Sequence, residues 1–395
     1  MATGDSDRLR ENQLFGRYRI VRLLGEGGMG AVYEAVHPIL KKRFAIKTLL
    51  PSLAELPEAR ARFLREGEAA SRINHPNVVA VLDVGTEGTT PYLVMEYLEG
   101  ETLEDLVARR QVLPAADAVD LMLPVISAVA AGHDQGVIHR DLKPQNIFLT
   151  RGPWGQAIPK VLDFGVSKLV GDLENAALTG TQAVLGTVAY MSPEQARGAR
   201  GVDASSDQYA IGLILYEMVT GRRAHTGDSP LEILHHISNG RIAPPRTVRP
   251  ELPPAMEIAL LRCLAHQASD RFPSLRALGQ ALLPLAGDKA RMGLADGFRE
   301  PAAGPEPRSG EANRTALLPS PPEPPSASSG GTQILPAPGS GSGRPAAEST
   351  FRQAASELGT RPAKVPVARR GTPAGIGWIA GLLVAGGIGA GLLKL

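Results

Sequence analysis

The chain has 395 residues, 43% of them hydrophobic, which is enough for two or three domains and a sizeable core. Its 42 Lys and Arg against 40 Asp and Glu leave a net charge of +2, so nothing argues for a basic nucleic-acid stripe or for an acidic partner, and no nucleic-acid partner is expected. The single cysteine, Cys263, has no internal disulfide partner and falls in the helical pattern of residues 258–264, where it reads as a core thiol in a reducing compartment. The opening residues lack the charged-then-apolar pattern of an export signal, which points to a cytoplasmic amino-terminal domain.

Residues 1–16 form a short extension. Residues 17–25 read as a strand through Tyr18, Ile20 and Leu23, after which Gly25-Glu26-Gly27-Gly28-Met29-Gly30 turns the chain and Ala31-Val32-Tyr33-Glu34-Ala35-Val36 returns as a second strand. Dinucleotide folds use the same glycine spacing but need a helix opening at the last glycine. Here the β-branched and aromatic residues favour extended chain, so the motif belongs to a hairpin. Residues 43–47 read as a third strand, and residues 58–73 as a helix with Phe63, Ala70 and Ile73 on one face, ended by Asn74-His75-Pro76-Asn77. Strands over 78–84 and 92–97 complete a five-stranded small lobe, and residues 98–100 hinge into a mainly helical large lobe.

Two polar clusters follow, each bounded by strand-like apolar runs: His139-Arg140-Asp141-Leu142-Lys143-Pro144-Gln145-Asn146 and Asp163-Phe164-Gly165. Phosphoryl transfer needs an acid side chain to orient a hydroxyl and accept its proton. It also needs oxygen ligands that hold Mg²⁺ against nucleotide phosphates. Asp141 suits the first task, and Asn146 with Asp163 suits the second.

In motif order this set resembles the eukaryotic-like (Hanks-type) serine/threonine protein kinases, the bacterial members above all, over roughly residues 18–283. The resemblance implies an α+β, bilobal protein-kinase fold over residues 17–285, with a small lobe of antiparallel sheet (17–98), a helical large lobe (99–285), and a nucleotide cleft between them. It implies ATP as co-substrate with Mg²⁺, or Mn²⁺, as metal. Gly25, Glu26, Gly27, Gly28 and Gly30 would lie over the phosphates, Val32 over the adenine, and Ala45 among the nucleotide-binding residues. Lys47 would hold the α- and β-phosphates with Glu66 as its ion-pair partner, preferred to Glu68 because it stands nine residues before His75. Met95 would back the adenine pocket, and Glu96 and Leu98 would offer backbone groups to the base.

By the same resemblance Asp141 accepts the hydroxyl proton and Lys143 steadies the transferring phosphoryl group. Lys143 together with Gly186-Thr187 marks a serine/threonine enzyme. Arg140 is a cation that needs an anion, which phosphate on the activation loop (163–194) would supply at Thr179 and Thr181. Glu194 paired with Arg271, and Asp207 bracing the catalytic loop, are structural anchors. Ser192 departs from the alanine common at that place, and residues 151–159 make a longer turn than usual. The implied activity is phosphorylation of the chain itself and of cytoplasmic proteins.

From residue 286 to 374 the composition changes to Gly and Ser runs, with proline well above its ordinary share of about 5%, which predicts a disordered linker. Thr315, Ser320 and Thr350 within it are expected to be exposed hydroxyls open to modification. Residues 375–393 carry no charge, and at about 1.5 Å per residue they reach across a bilayer's hydrocarbon core as a transmembrane helix. Arg369 and Arg370 precede this span and Lys394 follows it. The positive-inside bias therefore keeps the kinase domain cytoplasmic, anchored to the inner membrane. Gly377 with Gly381, and Gly387 with Gly391, are spaced for close helix contact, which leaves a homodimer open beside a lone span.

Overall fold

The structure is a computed structural model that describes residues 8–153, 155–164, 186–198 and 202–298. Gly165, Thr179, Thr181, the linker beyond residue 298 and the 375–393 stretch lie outside the described residues.

The small lobe carries β1 (Leu14–Phe15), β2 (Tyr18–Glu26), β3 (Gly30–Val36), β4 (Arg43–Leu49), β5 (Val81–Glu87) and β6 (Thr90–Glu96). They form one antiparallel sheet in the order β1-β2-β3-β4-β6-β5. The expectation of five strands is one short, because β1 lies in the segment read as an extension. Two residues carry no alternation that would reveal a strand. Phe15 holds it, 4% exposed and edge-on to Tyr92 with ring centroids 5.2 Å apart. No helix opens after Gly30: β2 and β3 pair as a hairpin from Arg19↔Val36 to Glu26↔Ala31.

Along β4, Phe44, Ile46 and Thr48 are buried while Arg43, Ala45 and Lys47 are half-buried, the period of two that a strand with one open face requires. The register sets Val32 opposite Lys47 and Met95 opposite Ala45, so these four side chains share a face. Two helices follow β4, α1 (Pro51–Ala54) and α2 (Pro57–Ser71); α2 starts on a proline with Glu58 in its first turn, both favourable at a helix N-terminus. Its buried Ala59 and Phe63 pack with Leu49, Ala54 and Leu93, on the sheet face that also carries Lys47.

The large lobe begins with β7 (Gly100–Thr102) and α3 (Leu103–Arg110), the latter started by a capping box between Thr102 and Asp105. The lobe is built around α4 (Ala115–Asp134), whose Val119, Met122, Leu123, Ile126 and Val129 are fully buried. Among the described residues, α4 is the one helix long and apolar enough to cross a membrane, and its place at the centre of this core accounts for that composition. A three-stranded sheet, β7-β8-β9, with β8 (Ile147–Arg151) and β9 (Ala157–Val161), lies at the cleft. Then come α5 (Pro193–Ala196), α6 (Ala204–Thr220), α7 (Pro230–Asn239), α8 (Pro245–Val248), α9 (Pro254–Cys263) and α10 (Leu275–Leu282). Cys263 is buried with its Sγ 2.8 Å from the Gln208 carbonyl, and burial pushes its thiol up to about 12.

The folded chain continues past residue 285, where the linker was expected to start. Asp288–Leu294 forms α11, and Phe298 is fully buried beside α10, its carbonyl accepting from Gln280 Nε2 at 2.6 Å. The Gly287 amide donates to Asp120 on α4 at 2.8 Å. A lone aromatic after a glycine-rich stretch gives no periodic signal, yet one such ring is enough to hold a short segment on the lobe.

Candidate active site

The chain between α4 and β8 is held from below by one carboxylate. Asp207, 1% exposed in the first turn of α6, accepts from the backbone amides of His139 and Arg140, each at 2.8 Å, and lies 2.8 Å from His133 Nε2. These bonds sustain a costly conformation: Arg140 has φ +64°, in the left-handed region. Gln195 Nε2 donates to the Arg140 carbonyl at 2.7 Å, closing the loop from the other side. His139 is itself buried, its Nε2 2.8 Å from the Leu162 carbonyl and its ring 5.0 Å from that of Phe164.

On this base Asp141, Lys143 and Asn146 converge. Lys143 Nζ lies 3.0 Å from Asp141 Oδ2 and donates to Thr187 Oγ at 3.1 Å, so the catalytic loop meets the Gly186-Thr187 segment through this lysine. Asn146 Nδ2 donates to the Asp141 carbonyl at 2.7 Å, which leaves its Oδ1 as the free acceptor. Across the cleft, Lys47 Nζ pairs with Asp163 Oδ1 at 2.7 Å. Asp163 also has a left-handed backbone, φ +53°. Burial opposes its ionisation, yet Lys47, with His139 and Lys143 further off, holds the carboxyl below its ordinary value.

The expected Lys47–Glu66 ion pair is not formed. Lys47 is taken by Asp163, and Glu66 stands half-buried on α2 beside Met29, Leu49, Ala59, Arg62 and Phe63, around a cavity of about 10 Å³. Burial is the largest influence on Glu66 and pushes its carboxyl up to about 7 against the pull of Arg62, Arg140, Lys47 and Arg65. Glu68, the alternative, is exposed.

On the nucleotide side, Val32 and Ala45 are half-buried on the face that carries Lys47, and Met95 is 8% exposed. The Glu96 carboxylate accepts from the Ala80 amide at 2.9 Å and from Lys160 at 2.6 Å, which fixes the strand end that leads to Leu98. The glycines divide by role. A Cβ at Gly25, Gly27 or Gly28 meets no heavy atom within 4 Å, so the space above them is open for a ligand. A Cβ at Gly30 would overlap the Thr48 carbonyl of β4, so that glycine serves sheet packing.

The donor set fits Mg²⁺: one carboxylate (Asp163) and one amide oxygen (Asn146) whose Nδ2 is already used, the sparse protein ligation of an ion that also binds substrate phosphates and water. Among the described residues no cluster of three or more His, Cys, Asp or Glu competes as a metal site. Held by Asn146 and Asp163, such an ion would supply positive charge against the phosphates of a bound nucleotide. The chain's own groups supply a proton acceptor in Asp141, a cation beside it in Lys143, and a second cation in Lys47.

Further out, Glu194 and Arg271 form a two-pronged pair at 2.8 and 3.0 Å, with Arg271 wholly buried. Burial opposes the Glu194 charge, but bonds from Arg271 and Ser206 bring its carboxyl down to about 2. Ser192 starts α5 through a capping box with Gln195, and its hydroxyl lies 3.2 Å from that of Ser206. Sequence reasoning missed two working residues. Gln195 grips the catalytic loop, and Gly132 on α4 makes room for Phe164, whose Cε1 would stand 2.6 Å from a Cβ there. A glycine in an otherwise apolar helix is the signal that marked the second.

The family model described as the protein kinase domain matches residues 18–281. The chain is 39% identical over 280 residues to the serine/threonine-protein kinase PksC of Streptomyces coelicolor, covering 69% of this chain and 49% of that one. It is 38% identical over 299 residues to the serine/threonine-protein kinase pkn3 of Myxococcus xanthus, covering 75% and 54%. The chain thus spans about half the length of these curated relatives. The crystal structure of the Mycobacterium tuberculosis PknI kinase domain superposes with a TM-score of 0.56 at 30% identity, covering 71% of this chain and 100% of that one.

Proposed function

Because the chain belongs to the protein kinase domain family, we propose that it transfers the terminal phosphoryl group of ATP to serine and threonine hydroxyls of cytoplasmic proteins and of its own activation loop. The observation that carries this reading is the convergence of Asp141, Lys143 and Asn146 on one side of the cleft with Lys47 and Asp163 on the other. An acceptor hydroxyl beside Asp141 loses its proton to that carboxylate as it attacks. Lys143, already bonded to Asp141 and Thr187, stabilises the charge on the phosphoryl oxygens in flight. Nucleotide phosphates would compete with Asp163 for Lys47, freeing the Asp163 carboxylate for Mg²⁺ alongside Asn146.

Thr179 and Thr181 are the proposed autophosphorylation sites, with Arg140 as the cation that receives the phosphate. The uncharged stretch 375–393, preceded by Arg369 and Arg370, supports a membrane tether with the kinase domain on the cytoplasmic side. Gly377, Gly381, Gly387 and Gly391 support pairing of two such spans. The test is incubation of the full chain with labelled ATP and Mg²⁺. Wild type takes up label that peptide mapping places on Thr179 and Thr181, while Asp141→Asn and Lys47→Met do not. Equal label on wild type and Asp141→Asn would remove Asp141 from its role.

A further inference from the structure

Resting on the kinase reading, a second assignment concerns the segment that precedes the small lobe. Residues 8–15 are folded against the sheet by a continuous set of bonds. The Gln13 amide donates to the Arg10 carbonyl at 3.1 Å, and the Gln13 side chain accepts from the Arg10 amide at 2.8 Å, closing a turn. That turn is stitched to β2 by Asn12 N to Ile20 O and Ile20 N to Gln13 O, both 2.9 Å, and then by the β1 pairing. Leu9 packs against the cluster of Phe15, Tyr18, Ile20 and Tyr33, and its amide reaches the Tyr33 hydroxyl at 3.4 Å. Arg8 then extends to Glu26, Nη2 to Oε2 2.6 Å, at the end of β2 where the glycine-rich turn begins.

The turn itself is tied by two backbone bonds, Gly27 N to Gly30 O at 2.9 Å and Leu50 N to Met29 O at 3.0 Å, while no heavy atom stands within 4 Å of a Cβ at Gly25, Gly27 or Gly28. Glu26 also places a negative charge in the segment that would cover the nucleotide phosphates, and like charges there oppose binding. We propose that residues 8–15 are a strap that positions the glycine-rich hairpin over the nucleotide, with Arg8 the positioning residue that holds and neutralises Glu26. The pair is partly exposed, with side chains 51% and 35% open, so the effect is modest and salt-sensitive.

The experiment uses the full chain and measures calorimetric affinity for a non-hydrolysable β,γ-imido analogue of ATP with Mg²⁺, together with KM and kcat and hydrogen exchange across residues 24–31. Arg8→Glu is expected to weaken analogue affinity and raise KM for ATP by about two- to fivefold, the range of an exposed ion pair. The loss shrinks in high salt, kcat and melting temperature stay at the wild-type value, and exchange across 24–31 rises. The exchanged pair Arg8→Glu with Glu26→Arg recovers affinity beyond the sum of its single variants, and the milder Arg8→Gln shows the same direction. Additive single-variant effects, or unchanged exchange across 24–31 in Arg8→Glu, overturn the strap. A wild-type protein that does not bind the analogue sinks the kinase reading, and the exchange result still decides the strap.

Discussion

Replacing Arg271 with leucine would remove a cation whose side chain is wholly buried in the large lobe. Arg271 makes two bonds to Glu194, and three more reach the carbonyls of Ala265 (2.9 Å), Ser205 (3.0 Å) and His266 (3.5 Å), with the Tyr209 ring 4.8 Å away. Leucine fills much of the volume but satisfies none of these oxygens. Breaking a buried pair from one side costs about 3–5 kcal/mol, and for a lobe of this size that lowers Tm on the order of 10 °C. Glu194 shows why. Its ordinary value of 4.5 falls to about 2 in the fold, a linkage with a ceiling of about 3 kcal/mol that solvent around the carboxylate trims to about 2. A depressed carboxyl stabilises above its unfolded value and loses that contribution as pH falls through the folded one. Wild type should therefore shed this stability between about pH 4.5 and 2, and Arg271→Leu should lack that limb. Thermal and urea unfolding followed by far-ultraviolet circular dichroism from pH 2 to 8 read both quantities. A variant that melts within about 2 °C of wild type, with the same acid limb, would refute the assignment of this pair as a structural anchor.

Three more substitutions test other parts of the molecule. Glu66 runs the opposite way from Glu194: its carboxyl is raised to about 7, so its ionisation destabilises the fold increasingly from about pH 4.5 to 7. Glu66→Gln should gain stability over wild type at pH 8 and none at pH 4, by thermal melts at the two values; an equal difference at both would contradict the burial argument. Phe298→Ala should cost about 3–5 kcal/mol in urea unfolding, since it empties a fully buried ring site, and a loss below about 1 kcal/mol would mean that residues 286–298 do not belong to the folded lobe. Gly132→Ala brings a methyl to 2.6 Å from Phe164 Cε1, so displacement of the Asp163-Phe164 pair should lower kcat by about tenfold or more; unchanged kcat would show that Phe164 has another place to go.

How far the fold was readable depended on how densely each feature was encoded. The hairpin was legible because Ala31-Val32-Tyr33 after the last glycine makes a helix start unfavourable, and the pairing of β2 with β3 follows from that. The meeting of Asp141, Lys143 and Asn146 was legible because the three are close in sequence on one short loop, and their groups touch in the fold. β1 was not, since two residues cannot show a period and its stability comes from Phe15 meeting Tyr92 in space. Phe298 was hidden for the same reason, a single contact far along the chain from its partners. Lys47 carried one correct expectation and one incorrect: its place on an apolar strand calls for a counter-charge, but spacing cannot decide between two acids that both reach the cleft. In this structure Asp163 occupies that position and Glu66 does not.

A crystal structure of the chain with Mg²⁺ and a non-hydrolysable ATP analogue tests the central claim most directly. The account expects Asn146 Oδ1 and an Asp163 carboxylate oxygen at about 2.0–2.1 Å from the metal, Lys47 moved from Asp163 onto the phosphates, and Asp141 facing the terminal phosphoryl group. Density showing nucleotide bound with Asn146 and Asp163 both turned away from the metal would contradict it.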